Sequence, residues 1–467
     1  MAHKTYKMDP MPELNNGKLA EHLGGMLRFK TICNLDPTLV DWSQFDALHA
    51  YLEKTYPLLH RHLEKTVING HSLLYHWKGT GESGLNPVLL MAHQDVVPVT
   101  PGTEQDWEHD GFSGEVADGY LWGRGAMDIK VLIMGEMEAV EKLLEAGFTP
   151  DRDVYLAYGH DEEVMGMQGA QKIADHLQQQ GVHLDFVIDE GGAFARGEDY
   201  GAPGKLIANI GIFEKGYCDL MFTVEDVGGH SSRPGETTAL GELARAIDAV
   251  ERAKFPLHMS KPIRLFYESI GAYLEDPTVR TLALDLDNRA DELCALLSKT
   301  PAGNAMVRTT TAATQAWASP APNILPQKAQ AVFNFRLNDT ETVESVIAHC
   351  EKAIDNPRVK ISVVKGQNPS NISNTEWLSF ELLKKTIWQL QPDAVIVPNA
   401  VLGGTDSRKF DPICDGVFRF GPFIGGIDLR HTVHATNERT RVDALDQGVM
   451  FYIQLLKNLC TQQGRVY

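Results

Sequence analysis

The 467-residue chain lacks most of what would place it at a membrane or in an oxidising compartment. Its longest apolar runs, such as VLLMA, fall far short of the ~20 residues that span a bilayer. The segment MAHKTYKMDPMPELNNGK has no apolar core of the kind a secretory signal needs, so none is expected. Cysteine is scarce: Cys33, Cys218, Cys294, Cys350, Cys414 and Cys460 are scattered, with no C-x-x-C pair. That argues against a cysteine zinc site or a thioredoxin-like motif, and leaves reduced thiols in a cytoplasm as the expectation. Basic residues are few against acids, 43 to 62, giving a net charge of −19. Such a balance argues against nucleic acid or an anionic membrane surface as a partner. No G-x-S-x-G occurs, and GHSSRPG does not fit a serine nucleophile elbow.

What is present is an ordinary globular composition, 43% hydrophobic and 22% charged. The length exceeds one compact core and predicts two domains. PVLLMAH (87–93), RDVYLAY (152–158) and FVID (186–189) read as buried strands. Between the first two, Ile133, Met137, Val140 and Leu144 align on one helical face, with Gly147 suited to the C-terminal cap. This β-α-β rhythm predicts a sheet covered by helices.

After about residue 210 the order becomes β-α-β-β-α-β, that of a ferredoxin-like module. Its strands are YCDLMFTVE, TTTAATQAWAS, KAQAVFNFRLN and KISVVKG. One helix aligns Leu240, Leu243, Ile247 and Val250, the other is TVESVIAHCEKAI, and a helical insertion occupies about 256–305. The α/β rhythm resumes with EWLSFELLKKTIWQL, AVIVPNAV, GVFRFGPF and a last amphipathic helix. The predicted fold class is therefore α/β: a discontinuous domain, 1–210 and 368–467, with a smaller domain, 211–367, inserted.

Open α/β sheets place ligands beyond the carboxyl ends of their strands, so strand ends are where chemistry is sought. His93 ends one strand, with Asp95 two residues on; Asp128 precedes a helix; Glu162 and Glu163 follow a third run; Asp189 ends a fourth. Far downstream, RHTVHATNER brings His431 and His434. Singly, each fits a polar turn, a helix N-cap or a structural histidine. Together they put metal-capable residues at successive strand ends, with nitrogen and oxygen donors and no sulfur. That donor set suits zinc, and there are enough ligands for two ions. Two-metal sites, with ions about 3.5–4 Å apart, activate water near neutral pH.

The stretches MAHQDVVPV, FSGEVADGYLWGRGAMDIK, GHDEEV, DEGG, GGHSSRPGETTA, GGTDSR and HATNE resemble, in order, those of a di-zinc metallopeptidase family. That family (clan MH) includes carboxypeptidase S, aminoacylase, acetylornithine deacetylase and glutamate carboxypeptidase. The carboxypeptidase S and N-acyl-amino-acid hydrolase branch is the most similar. The resemblance implies a zinc-exopeptidase-like catalytic domain with a mixed sheet, and an inserted ferredoxin-like lid and dimerisation domain. It further implies that His93 and Asp189 hold one zinc, Glu163 and His434 the other, and that Asp128 bridges them. Cobalt or manganese suits the same ligands. Asp95 would be the partner of His93, Glu162 the general base, and the Asp128–Ile129 peptide cis. His230 would polarise the scissile carbonyl, from this chain or from a partner copy in a homodimer. Asn323, Arg336, Gly403, Gly404 and Thr405 are the candidate substrate-carboxylate contacts.

The implied reaction is hydrolysis of an amide beside a free carboxylate. The substrate is a small molecule, either a short peptide, cleaved as by a carboxypeptidase or dipeptidase, or an N-acyl amino acid. The apolar segment PIRLFYESIGAYL suggests a hydrophobic acyl or side chain, or else packs the insertion itself. The rival outside this class is a non-catalytic metal- or peptide-binding protein on the same fold.

Overall fold

A computed structural model describes residues 6–401 and 403–466. The chain divides into two compact units. One runs through Ile212 and returns at Ser373–Pro398 and from Gly404 onward; the other is Phe213–Ile372 with the short segment that starts at Asn399.

The first unit opens with α1 (Asn16–Leu27), α2 (Trp42–Thr55) and α3 (Pro57–His62), then β1 (Glu64–Ile68), β2 (Ser72–Trp77) and β3 (Val88–His93). The short β4 (Glu115–Ala117) and β5 (Tyr120–Trp122), α4 (Lys130–Glu145), β6 (Val154–Gly159), α5 (Ala170–Gln179), β7 (Phe186–Arg196) and β8 (Leu206–Glu214) follow. The second unit carries β9 (Gly216–Glu225), β10 (Gly229–His230), α6 (Ala239–Arg252), α7 (Lys261–Ile270), α8 (Pro277–Ala283), α9 (Leu286–Leu297) and α10 (Pro301–Met306). It continues with β11 (Thr310–Trp317), β12 (Ile324–Leu325), β13 (Lys328–Leu337), α11 (Val343–Ile354) and β14 (Lys360–Gln367). The chain ends with α12 (Leu378–Leu390), β15 (Val395–Val401), β16 (Val417–Gly421), β17 (Arg439–Arg441) and α13 (Leu445–Leu459).

The large sheet is mixed, in the order β1-β2-β6-β3-β7-β16-β8-β15. Its centre is parallel: β3 pairs with β6 and β7, and β7 with β16. Central parallel strands are covered on both faces, which is why β3 and β6 are apolar runs buried at every residue. Helix α4 is buried almost all round, and its glutamates are not all orphaned by that. Glu138 meets His22 at 3.0 Å, and Glu141 accepts the first free N–H groups of α3, from Leu58 and Leu59. Gly147, at φ 69°, ends α4 in the left-handed conformation expected of its cap.

The second unit holds a four-stranded antiparallel sheet ordered β11-β13-β9-β14, with α6 and α11 on one face. In the chain order of its strands this is 2-3-1-4, the arrangement of a β-α-β-β-α-β module. Leu220, Phe222, Val224, Phe333 and Phe335 form its core with Leu243, Val250, Val346 and Cys350. Leu240, placed by periodicity on the buried face of α6, is instead 46% exposed, and Ala239 and Ala246 take the inner positions. In the insertion, Ile263, Phe266, Tyr267, Ile270 and Leu274 are all buried, so the apolar segment packs the insertion. Among the described residues no helix is long and apolar enough to cross a membrane.

Candidate metal centre

Two central strands of the first unit, β3 and β6, end at one place, and a third, β7, runs past it. β3 ends in His93, β6 runs into a single 3-10 turn, Glu162–Val164, and β7 carries Asp189 and Glu190. Asp128 comes from the turn before α4, and His434 from the loop before β17. The Asp128–Ile129 peptide is cis.

His93 is buried, and its Nδ1 donates to the main-chain carbonyl of Asp95 at 2.9 Å. A carbonyl only accepts, so Nδ1 carries a proton, and Nε2 is the ring atom turned to the site. The Asp95 carboxylate does a second job: it accepts the N–H of Glu162 at 3.1 Å and of Glu163 at 3.0 Å. One buried side chain thus fixes the turn that carries both glutamates.

Asp128 lies between the two imidazoles. Its Oδ1 is 3.1 Å from His93 Nε2 and its Oδ2 3.0 Å from His434 Nε2. Glu163 Oε1 is 3.3 Å from the same His434 nitrogen. Two groups able to hold a metal result, His93–Asp128–Glu190 and Asp128–Glu163–His434, and they share Asp128. The expected member of the first group was Asp189, and the structure brings Glu190 there. Glu190 Oε1 stands 3.4 Å from His93 Nε2, while Asp189 Oδ2 accepts the N–H of Ser407 at 2.9 Å. The physical reason is an irregular strand: β7 pairs regularly with β16 up to Asp189, then slips before pairing resumes at Ala193. Neighbours on a strand point apart, and only the longer glutamate reaches over the strand end.

The electrostatics fit a cation. Asp128 and Glu163 raise His434 to about 10, against its partial burial. His93 is also raised: burial opposes this, and Asp128, Asp95 and Glu190 together override it. A field that draws a proton onto each imidazole also draws a metal ion, which displaces that proton. Burial and Asp128 push Glu190 up to about 8, and burial with Glu190, Asp406 and Asp95 pushes Glu162 well above the usual carboxylate range. The concentrated negative charge and the nitrogen–oxygen donor set suit zinc-type ions.

His431, the other histidine of the loop, is in neither group. In the second unit, β10 pairs with β12, so His230 faces Ile324, and Ser231 donates its N–H to the Asn323 carbonyl at 3.1 Å. His230 Nδ1 accepts the N–H of Ser232 at 3.1 Å, which leaves the ring proton on Nε2. Arg336 is not with them. It lies near the far end of β13, over the Tyr217 ring at 4.6 Å. Thr405 is buried, its hydroxyl 2.6 Å from that of Ser407, and Gly403 and Gly404 are exposed. Sequence reasoning missed Glu190 and also Glu438 and Asp406, both buried. Glu438 stands in HATNE and Asp406 in GGTDSR, so the motifs held the signal.

The model of peptidase family M20/M25/M40 matches residues 89–458. The chain belongs to that family. It is therefore a metal-dependent hydrolase. It is 36% identical over 455 residues to a probable carboxypeptidase S-like 2 of Dictyostelium discoideum, covering 97% of this chain and 87% of that protein. It is 34% identical over 452 residues to the N-fatty-acyl-amino acid synthase/hydrolase PM20D1 of Xenopus tropicalis, covering 96% and 87%. Among solved structures, the M20 family metallo-carboxypeptidase Sso-CP2 from Sulfolobus solfataricus matches with TM-score 0.66 at 18% identity, over 94% of this chain and 98% of that one. That likeness bears on the fold, which is the zinc-exopeptidase-like α/β architecture expected.

Proposed function

We propose that the chain is a two-zinc hydrolase that cleaves the amide bond of short peptides or N-acyl amino acids beside a free carboxylate. The observation that carries this is the shared Asp128, one oxygen on each of two histidine–carboxylate groups. His93, Asp128 and Glu190 would hold one ion, and Asp128, Glu163 and His434 the other. When bound, such a pair supplies an acidified water and polarises the carbonyl.

The rest falls to side chains. Asp95 holds the His93 tautomer and the Glu162–Glu163 turn. Glu162 takes a proton as the water oxygen bonds to the carbonyl carbon, then hands it to the amine nitrogen as the C–N bond breaks. The products are a carboxylic acid and an amine. His230, with its proton on Nε2, is a donor suited to the developing oxyanion. Asn323, beside it, is the better candidate for a substrate contact than Arg336, and Thr405 stays a candidate for the substrate carboxylate. Dimerisation through the second unit and a cytoplasmic site of action belong to the same reading.

The names of the relatives support both substrate classes. A hydrolysis screen of N-acyl amino acids against dipeptides, with zinc or with chelator, tests the proposal. Zinc-dependent release of a free amino acid from either class is expected. No turnover on either class with zinc present would overturn it, and would favour a binding protein.

A further inference from the structure

The geometry points to Glu438 as the residue that positions Asp128, and so as a determinant of metal affinity; this rests on the two-metal reading above. Glu438 is fully buried in the first unit. Its Oε1 accepts three main-chain N–H groups, from Gly125 at 3.1 Å, Met127 at 2.8 Å and Asp128 at 3.1 Å. Its Oε2 accepts from Arg124 Nη1. The same segments are tied twice more: Gly123 donates to the Glu438 carbonyl at 2.9 Å, and Arg124 Nη2 to the Ala435 carbonyl at 3.1 Å.

The turn at residues 123–129 belongs to no strand and precedes α4, so no ladder of regular bonds sets its shape. Main-chain N–H groups that converge on one point make a concavity suited to an anion, and the Glu438 carboxylate fills it. The four partners of its carboxylate described above are all donors, so a protonated acid would have no acceptor for its hydrogen among them.

The consequence is reach. Glu438 stands four residues after His434, and its oxygen sits on the amide of Asp128 itself. One carboxylate thus links the segment bearing the shared ligand to the segment bearing the second histidine. Asp128 Oδ2 and His434 Nε2 meet at 3.0 Å because their main chains are joined through it. Glu438 belongs to neither metal-capable group and acts through Asp128, so it is a positioning residue.

The test compares the full-length wild type with Glu438→Gln and Arg124→Met. Glutamine keeps the size but must turn an NH2 group toward either the amides or Arg124. Methionine removes the partner of Oε2 and the bond to the Ala435 carbonyl, and leaves the three amides on Oε1 in place. Zinc affinity is measured by competition with a chromophoric chelator. Amide hydrogen exchange over 123–130 is measured on the metal-free proteins. For Glu438→Gln, zinc should bind ~10–100-fold more weakly, as when a group supporting a ligand is lost. Exchange over 123–130 should speed up at least ~10-fold, and kcat at saturating zinc should fall while KM changes by less than ~3-fold. Arg124→Met should move each reading the same way by less, and it decides the matter if Glu438→Gln does not fold. Unchanged zinc affinity in the folded variants overturns the inference, even if exchange is faster, since Glu438 would then be merely structural. A wild type that binds no zinc overturns the two-metal reading itself, and this inference with it.

Discussion

Glu162 and Glu163 share a turn and a backbone anchor, Asp95, yet their carboxylates meet different surroundings. Glu163 faces His434, whereas the part-buried Glu162 feels the negative charge of Glu190, Asp406 and Asp95 and is held by no arginine or lysine ion pair among the described residues. A base needs a raised proton affinity, and a ligand needs a cation. Replacing Glu162 by Gln should lower kcat by ~10²–10⁴-fold and leave zinc content unchanged, by elemental analysis alongside turnover. Glu163→Gln should lower zinc content as well. A Glu162→Gln enzyme with near-normal rates would remove the base assignment. The Asp189–Glu190 pair gives a second comparison. Glu190→Gln should weaken zinc binding by at least ~10-fold and by more than Asp189→Asn, measured by chelator competition. The reverse order would return the ligand role to Asp189. The sequence did not separate these neighbours, since both are carboxylates at one strand position, and Gly191 and Gly192 were the one local sign of the slip in β7.

Elements with a clear burial pattern were legible: the continuous apolar runs of β3 and β6, and the stripe of α6 apart from Leu240. Elements set by turns or by pairing were less so. The β1–β2 hairpin escaped, although Asn69 and Gly70, both at positive φ, mark its turn. β7 extends to Arg196, well past FVID, because pairing with β8 from Ala193 onward carries it on. One turn allows a sharp test. Gly166, at φ 66°, closes the loop after Glu162 and Glu163, and a Cβ there would stand 1.7 Å from Asp406 Oδ1. Gly166→Ala should cost more than ~1 kcal/mol of stability, seen as a lower urea midpoint, together with lost zinc. An unchanged midpoint would show that this loop does not need glycine.

At the scale of the molecule, every candidate ligand lies in the first unit, although His93 and His434 are 341 residues apart in the chain. The inserted unit has its own core. Convergence of five distant residues was legible only through motifs, since spacing alone does not bring strand ends together. Zinc that binds only the folded first unit should stabilise it by about 2.7 kcal/mol at a hundredfold excess over Kd. Calorimetry with and without chelator should therefore show one transition that moves and one, from the inserted unit, that stays. Two transitions that shift equally, or none, would contradict that division.

The central claim is that Asp128 belongs to both ions. Zinc stoichiometry on wild type, His434→Ala and Asp128→Asn tests it most directly. Two equivalents per chain, about one, and essentially none are the results expected. A wild type that never exceeds one equivalent, or an Asp128→Asn protein that keeps two, would contradict it.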